Sequence, residues 1–344
     1  MGNVLGKNEF PVDGRTVLIT GGSRGTGLAA ACQLAAKGAN VVIVARDRDR
    51  LLRGVESIRL KARDATTQRF HQISADLSTA SESVRVVDEV TAWNAGNPPD
   101  VVWCCAGDTH PKLFVDTPVE EFERLMQVNY FSSLYMAHAI LRRWLKKKKK
   151  EKKAVDVEPS DEQKPPARHL IFTASFLAFF SFAGYAPYSP TKAALRALSD
   201  SLSQEMNLYA AAHPDEPRVR VHTVFPAAIL TDSYAWENTV KPDVTKKLEE
   251  ADAPQTPERI AEKSIAALEQ GQELITTDAL TALVKRSVLG GSVRGGFFRG
   301  LVDWVLVCLM GVVMVFVRGD MDRKVRAWGR IHGASGNVRK REEC

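Results

Sequence analysis

Residues 16–45 leave few folds open to this chain. Thr16-Val17-Leu18-Ile19-Thr20 is a β-branched apolar run that empties directly into Gly21-Gly22-Ser23-Arg24-Gly25-Thr26-Gly27. An alanine- and leucine-rich stretch, Leu28 to Lys37, follows at once, and Val41 to Ala45 reads as a second strand. Glycine clusters also mark ordinary turns, but the flanking strand, helix and strand give this one a specific meaning. In that setting glycines let the backbone approach a pyrophosphate, whose charge sits at a helix N-terminus. The pattern predicts dinucleotide binding.

The same alternation continues. Strand signals near Val17, Val41, Phe70, Val101, Leu170, Val219 and Leu274 are separated by helical patterns. The expectation is an α/β, doubly wound, Rossmann-like parallel sheet of about seven strands, with ligands along its carboxyl edge. The ribose-binding position that closes the second strand usually carries an acid in NAD-binding chains. Here it is Arg46, and Arg24 lies in the glycine turn. Two guanidiniums suit a 2′-phosphate, so NADPH is the expected cofactor, against the reading of two solvated arginines beside Asp47.

Three further residues form a proton-donating pattern. Tyr188 and Lys192 are four apart, which on a helix puts them on one face, and a nearby ammonium favours a phenolate. Pro190 between them fits only a first helical turn, so that helix is expected to start near Ser189. Ser175 follows the strand Leu170-Ile171-Phe172-Thr173-Ala174 and emerges at the carboxyl edge. A ketone resists reduction because negative charge builds on its oxygen, and a hydroxyl donor pair answers that need. Asn129 joins by another route. Thr117-Pro118-Val119-Glu120 reads as a capped helix start, and the apolar stripe Phe122, Leu125, Met126 then reaches Asn129. Its amide either satisfies neighbouring backbone or enters a bond network ending at Lys192.

These residues resemble the short-chain dehydrogenase/reductase family, whose pattern is T-G-x-x-x-G-x-G, then Asn, Ser and Y-x-x-x-K; the match runs from about Gly14 to Thr277. The resemblance implies that Thr20, Gly21, Gly25 and Gly27, with Ser23 and Arg24 in the same turn, line the pyrophosphate. It implies that Asp76 meets the adenine and that Asn129, Ser175, Tyr188 and Lys192 form a catalytic tetrad. Tyr188 is then the acid, and Lys192 also holds the nicotinamide ribose. Two departures stand out: Cys105-Ala106-Gly107 replaces N-A-G, and Pro226-Ala227-Ala228-Ile229-Leu230-Thr231 replaces P-G-x-x-x-T. Thr231 is still expected at the nicotinamide carboxamide. Within the family the glycine turn, the Tyr188 to Lys192 segment and the tail look most like reductases of a long-chain amino ketone in sphingolipid synthesis. Those work at the endoplasmic reticulum membrane, with the catalytic domain facing the cytosol.

The rest of the chain adds context. Of 344 residues, 44% are hydrophobic, enough for a large core, and the formal charge of +6 is concentrated in Lys146 to Lys153. That run and the polar stretch to Arg168 read as a solvated insertion, residues 146–168. No base-reading motif accompanies it, so no nucleic acid is expected; anionic lipid attraction and plain solubility both remain. Five cysteines without C-x-x-C spacing, and seven histidines without a ligand pair, predict no metal site. The amino end, from Met1-Gly2, carries neither a myristoylation pattern nor a signal peptide, and Cys344 is not a prenylation box.

Leu301 to Val317 is apolar except for Asp303. As a helix it reaches about 26 Å, just short of a hydrocarbon core. It is expected to attach to membrane lipids, with burial in a dimer interface as the other reading. The organisation expected is a catalytic domain over 1–278, with a long loop from Pro226 to Gln255 as a substrate lid over 226–256, and a membrane-associating extension over 279–344. A homo-oligomer is expected. Phe176, Phe179, Phe180, Phe182 and Tyr185 are either core or an apolar slot for an acyl chain. The substrate class is then a long-chain lipid ketone, with a steroid, retinoid or other acyl-chain carbonyl as alternatives. A nucleotide-binding membrane scaffold without chemistry is the reading from another class.

Overall fold

The computed structural model describes residues 8–145, 165–288, 297–332 and 337; the lysine run from Lys146, residues 289–296, Met1-Gly2 and Cys344 lie outside them. Seven parallel strands form one sheet in the order β3-β2-β1-β4-β5-β6-β7. They are β1 Thr16–Thr20, β2 Asn40–Ala45, β3 Phe70–Ser74, β4 Val101–Cys104, β5 Arg168–Thr173, β6 Val219–Phe225 and β7 Leu274–Thr276. All seven expected strands are present. Arg168, placed at the end of the insertion by composition, already belongs to β5.

Helices α1 Gly25–Ala36, α2 Arg48–Leu60 and α3 Ala80–Trp93 connect the first strands. Then come α4 Val119–Met126, α5 Ser132–Trp144, α6 Ser189–Ala212, α7 Asp232–Val240, α8 Asp243–Leu248, α9 Pro257–Glu269, α10 Ala279–Val288 and α11 Phe297–His332. Alternating strand residues face opposite sides, so the sheet has two cores. Leu18, Val42, Val102, Leu170 and Phe172 pack with α3, α5 and α6 residues on one side. Val17, Ile19, Val41, Ile43, Trp103 and Ile171 pack with α1, α2 and α9 residues on the other. Full burial of a side chain such as Phe172 stabilises by roughly 1.5–3 kcal/mol. Strand order reverses between β1 and β4, which opens a crevice at their carboxyl ends.

Three local expectations are revised. Helix α4 begins at Val119 with Pro118 extended before it, because the Thr117 hydroxyl donates to the Leu113 carbonyl (2.8 Å) instead of capping the helix. The stripe from α4 into α5 is interrupted by a π-helical turn, Gln127–Phe131, which carries Asn129. The stretch 226–256 is no bare loop: it holds α7 and α8, and an isolated parallel bridge between Ile229 and Gln255 closes its base.

The tail helix runs well past Val317. Gly300–Trp328 is long and apolar enough to cross a membrane, by length and composition. It is also no detached appendage, since it packs against α10 and α8.

Candidate active site

The crevice opens into a cavity of about 1100 Å³. Gly21, Ser23, Arg24, Gly25 and Gly27 line it, as do Arg46, Asp76, Ser175, Tyr188, Lys192 and Thr231. Two of the expected residues stand behind its wall. Thr20 is buried and its hydroxyl accepts from the Ala106 N–H (3.3 Å), joining the ends of β1 and β4; the structure does not bring it to the wall. Asn129, fully buried on its π turn, also stands behind it.

Ser175 follows β5, and its Oγ accepts from the Leu177 N–H (3.2 Å), which fixes the turn that presents it. Helix α6 starts at Ser189 with proline in its first turn, as the spacing requires. Tyr188 therefore stands at the helix entrance, lining the same cavity wall as Ser175, close enough for that hydroxyl to act on the phenol. One turn on, Lys192 is 5% exposed; its Nζ donates to the Thr173 carbonyl (3.0 Å) and lies 5.6 Å from the Tyr188 ring centroid.

Asn129 bonds neighbouring backbone and one side chain of α6. Its Oδ1 accepts from Asp108 N–H (2.8 Å), and Nδ2 donates to the Asp108 carbonyl (2.9 Å) and to Thr191 Oγ1 (3.1 Å). It still approaches Lys192 through Gly107: a methyl there would sit 2.9 Å from Asn129 Oδ1 and 3.2 Å from Lys192 Nζ. Cys105, which stands where the family pattern has asparagine, is tied into the sheet by side chains. Trp103 Nε1 donates to Thr173 Oγ1 (3.1 Å), and that hydroxyl donates to Cys105 Sγ (3.4 Å), linking β4 to β5.

The electrostatics differ from the expectation in one respect. Burial pushes the Tyr188 phenol up, the charge of Glu237 adds to that, and the nearby Ser175 hydroxyl only partly opposes it. The phenol is thus raised, not lowered, in the resting site, and desolvation pushes Lys192 itself down to about 8. Burial also pushes the Cys105 thiol up to about 12, which keeps it neutral.

The glycine turn fits a dinucleotide diphosphate. Gly21 has φ +66°, and a methyl on it would lie 2.7 Å from Ala106 N. One on Gly27 would lie 2.5 Å from the Gly21 carbonyl. Any larger residue at either position would break the close packing of turn against helix. Arg24 makes no side-chain cap on α1, and the first turn of that helix has no acid, so its positive end is left for an anion. Asp76 and Thr231 have local duties as well: Asp76 accepts from Ser78 N–H (3.1 Å), and Thr231 caps α7 through Tyr234 N–H (3.1 Å).

Sequence reasoning missed a buried polar group in the same cavity. The Tyr185 hydroxyl contacts Glu237 Oε1 and Glu249 Oε1, each at 2.6 Å, and Lys241 Nζ pairs with both glutamates. The one legible hint is the i, i+4 spacing of Glu237 and Lys241. The aromatic run serves both expected uses. Phe179 packs against Phe225 in the core with its ring tilted (centroids 4.3 Å apart), whereas Phe176, Phe180, Phe182 and Tyr185 line the cavity. Leu280, Leu283 and Val284 of α10 and Met310, Val313 and Met314 of α11 line it too.

The family model described as short chain dehydrogenase matches residues 15–158. The chain belongs to the short-chain dehydrogenase/reductase family, and is an oxidoreductase using a nicotinamide cofactor. It is 46% identical over 340 residues to a 3-ketodihydrosphingosine reductase of Aspergillus fumigatus, covering 97% of this chain and 89% of that one. A 3-ketodihydrosphingosine reductase of Neurospora crassa is 42% identical over 338 residues, covering 97% and 87%. Among solved structures, a short-chain type dehydrogenase/reductase from Mycobacterium ulcerans superposes with a TM-score of 0.61 at 21% identity, covering 78% of this chain and 89% of that one. A short-chain dehydrogenase from Streptomyces avermitilis gives 0.61 at 22%, covering 81% and 94%. These structural likenesses speak for the fold.

Proposed function

We propose that this protein reduces the ketone of 3-ketodihydrosphingosine to dihydrosphingosine with NADPH, attached to the endoplasmic reticulum membrane with its active site toward the cytosol. One observation carries the reading: a single cavity is lined by the glycine turn, by Ser175, Tyr188 and Lys192, and by apolar side chains of α10 and α11. The names of the two fungal relatives support the substrate.

When bound, the reduced nicotinamide supplies hydride to the ketone carbon. The Ser175 and Tyr188 hydroxyls hold the ketone oxygen, and Tyr188 gives its proton to the alkoxide that forms. A phenol kept protonated by burial suits an acid in the reductive direction. The Lys192 ammonium, over the Tyr188 ring, stabilises the phenolate left behind. Asn129 holds the Asp108 backbone and so fixes the floor beside Lys192. Gly21, Ser23, Gly25 and Gly27 receive the diphosphate, Asp76 the adenine and Thr231 the carboxamide.

NADPH is preferred for a reason of charge. Arg24 and Arg46 are exposed on the cavity and have no ion-pair partner among the described residues. Asp47, the residue that would argue for NAD, is engaged: it caps α2 at Arg50 N–H (3.0 Å) and pairs with the Arg50 guanidinium (3.2 Å).

Two stripes on α11 support membrane attachment. Met310, Met314 and Met321 line the cavity and are buried or half-buried, while Leu301, Val305, Leu309 and Val312 are exposed. A helix in the interface plane satisfies both, with one face on the protein and one in lipid. The segment 226–256 is the lid. The direct experiment supplies purified protein with NADPH and 3-ketodihydrosphingosine and identifies dihydrosphingosine by mass spectrometry. Reduction of a steroid or retinoid carbonyl alone would replace this substrate.

A further inference from the structure

The cavity holds a charge that ketone reduction does not use. Glu237 is 7% exposed and Lys241 2% exposed, so both are withdrawn from water, yet Glu237 and Glu249 line the cavity. Two carboxylates face one ammonium, which leaves a formal excess of one negative charge in largely apolar surroundings. Burial works against the Lys241 charge, but Glu237 and Glu249 outweigh it and raise its pKa. Asp252 lies on the same wall, from a solvent-exposed position; partial desolvation and then the Glu249 charge push its carboxyl up to about 6. A buried excess charge is unfavourable unless something pairs with it.

One oxygen identifies where that partner belongs. Both contacts of Glu237, from the Tyr185 hydroxyl (2.6 Å) and Lys241 Nζ (3.0 Å), fall on Oε1. The two oxygens of Glu249 each have a partner: Oε1 meets Tyr185 and Oε2 meets Lys241. Glu237 Oε2 has none among the described residues, on a residue 7% exposed that lines the cavity. It also stands beside the proton donor. The Tyr185 and Tyr188 ring centroids are 6.2 Å apart, and the Glu237 charge is close enough to act on the Tyr188 phenol.

We infer that Glu237 is a specificity-determining residue whose free Oε2 receives a primary ammonium on the carbon next to the ketone, with Tyr185 and Lys241 holding the carboxylate in place. This rests on the reading of the substrate as a long-chain 2-amino-3-ketone. With the ketone oxygen at Ser175 and Tyr188, an ammonium on the next carbon stays close to Tyr188, the group on which the Glu237 charge acts. A charge-assisted hydrogen bond of this kind is worth about 1.5–3 kcal/mol, or roughly 10- to 100-fold in kcat/KM.

The test compares 3-ketodihydrosphingosine with the ketone of equal chain length that lacks the amine, using the full chain in detergent. Wild type favours the amino ketone, and in Glu237→Gln the ratio of the two kcat/KM values falls at least tenfold. An unchanged ratio, with both values lowered together, assigns Glu237 to lid structure and overturns the inference. A second measurement needs no variant: octadecylamine inhibits reduction of the amine-free ketone at least tenfold more strongly than octadecanol. Equal inhibition overturns the inference while leaving the reductase reading in place. Wild type that reduces the amine-free ketone and ignores the amino ketone overturns both.

Discussion

Lys192 Nζ donates to the Thr173 carbonyl at 3.0 Å, tying the first turn of α6 to the end of β5. That bond sets the ammonium over the Tyr188 ring and buries it, and burial has a titration consequence. Desolvation brings Lys192 down to about 8, so its charge is lost as pH rises through that value. The kcat/KM for NADPH, which reports the free enzyme, falls on the alkaline side of about 8. Stability runs the other way: unfolded lysine keeps its proton to about 10.5, so folding gains from about pH 8 upward. Lys192→Arg removes the alkaline limb within the measurable range. A wild-type profile flat to pH 9.5 contradicts this assignment.

Cofactor choice is predicted to rest on Arg24 and Arg46. Replacing both by alanine raises KM for NADPH at least tenfold and changes KM for NADH less than threefold, because only the 2′-phosphate is lost as a partner. Steady-state kinetics with each cofactor decide it; an equal loss for both would point to collapse of the glycine turn.

Gly107 is predicted to be intolerant of a single methyl. In Gly107→Ala the added carbon would meet Asn129 Oδ1 at 2.9 Å and Lys192 Nζ at 3.2 Å, so both must move. Turnover drops at least tenfold, while far-ultraviolet dichroism keeps its wild-type shape. Wild-type turnover in this variant would show that neither side chain needs its present position.

A buried histidine pair sets acid stability. His169 Nδ1 and His222 Nε2 are 3.0 Å apart on β5 and β6, both fully buried. Burial, then the His222 charge, holds His169 well below 6.5, so it stays neutral in the fold while its unfolded counterpart protonates. Stability is therefore whole above about pH 6.5 and is lost as pH falls below it, by up to about 1.4 kcal/mol per pH unit for one proton. Denaturant titrations from pH 7.5 to 5 measure the slope, and His169→Leu lowers it.

What was legible in the sequence was local. The β1 to Gly27 segment, the seven strands, Ser175 and the Tyr188 to Lys192 spacing all follow from period, turn chemistry and residue order along short stretches. What escaped was set by contacts across the chain. The π turn at Gln127–Phe131 shifts Asn129 without changing the apolar pattern around it. Thr20 sits in the expected motif but bonds Ala106, 86 residues on. Tyr185, Glu237, Lys241 and Glu249 come from three separate segments, and only their burial together marks them as a unit. The tail showed its apolar length but not that one face of it walls the cavity.

Tyr188→Phe tests the central claim most directly, because it removes one oxygen from a buried site and leaves the ring in place. NADPH consumption with 3-ketodihydrosphingosine, followed by absorbance at saturating cofactor, falls at least a thousandfold in this variant, while NADPH binding measured by fluorescence stays within threefold of wild type. Turnover above a tenth of the wild-type rate would contradict the assignment of Tyr188 as the proton donor.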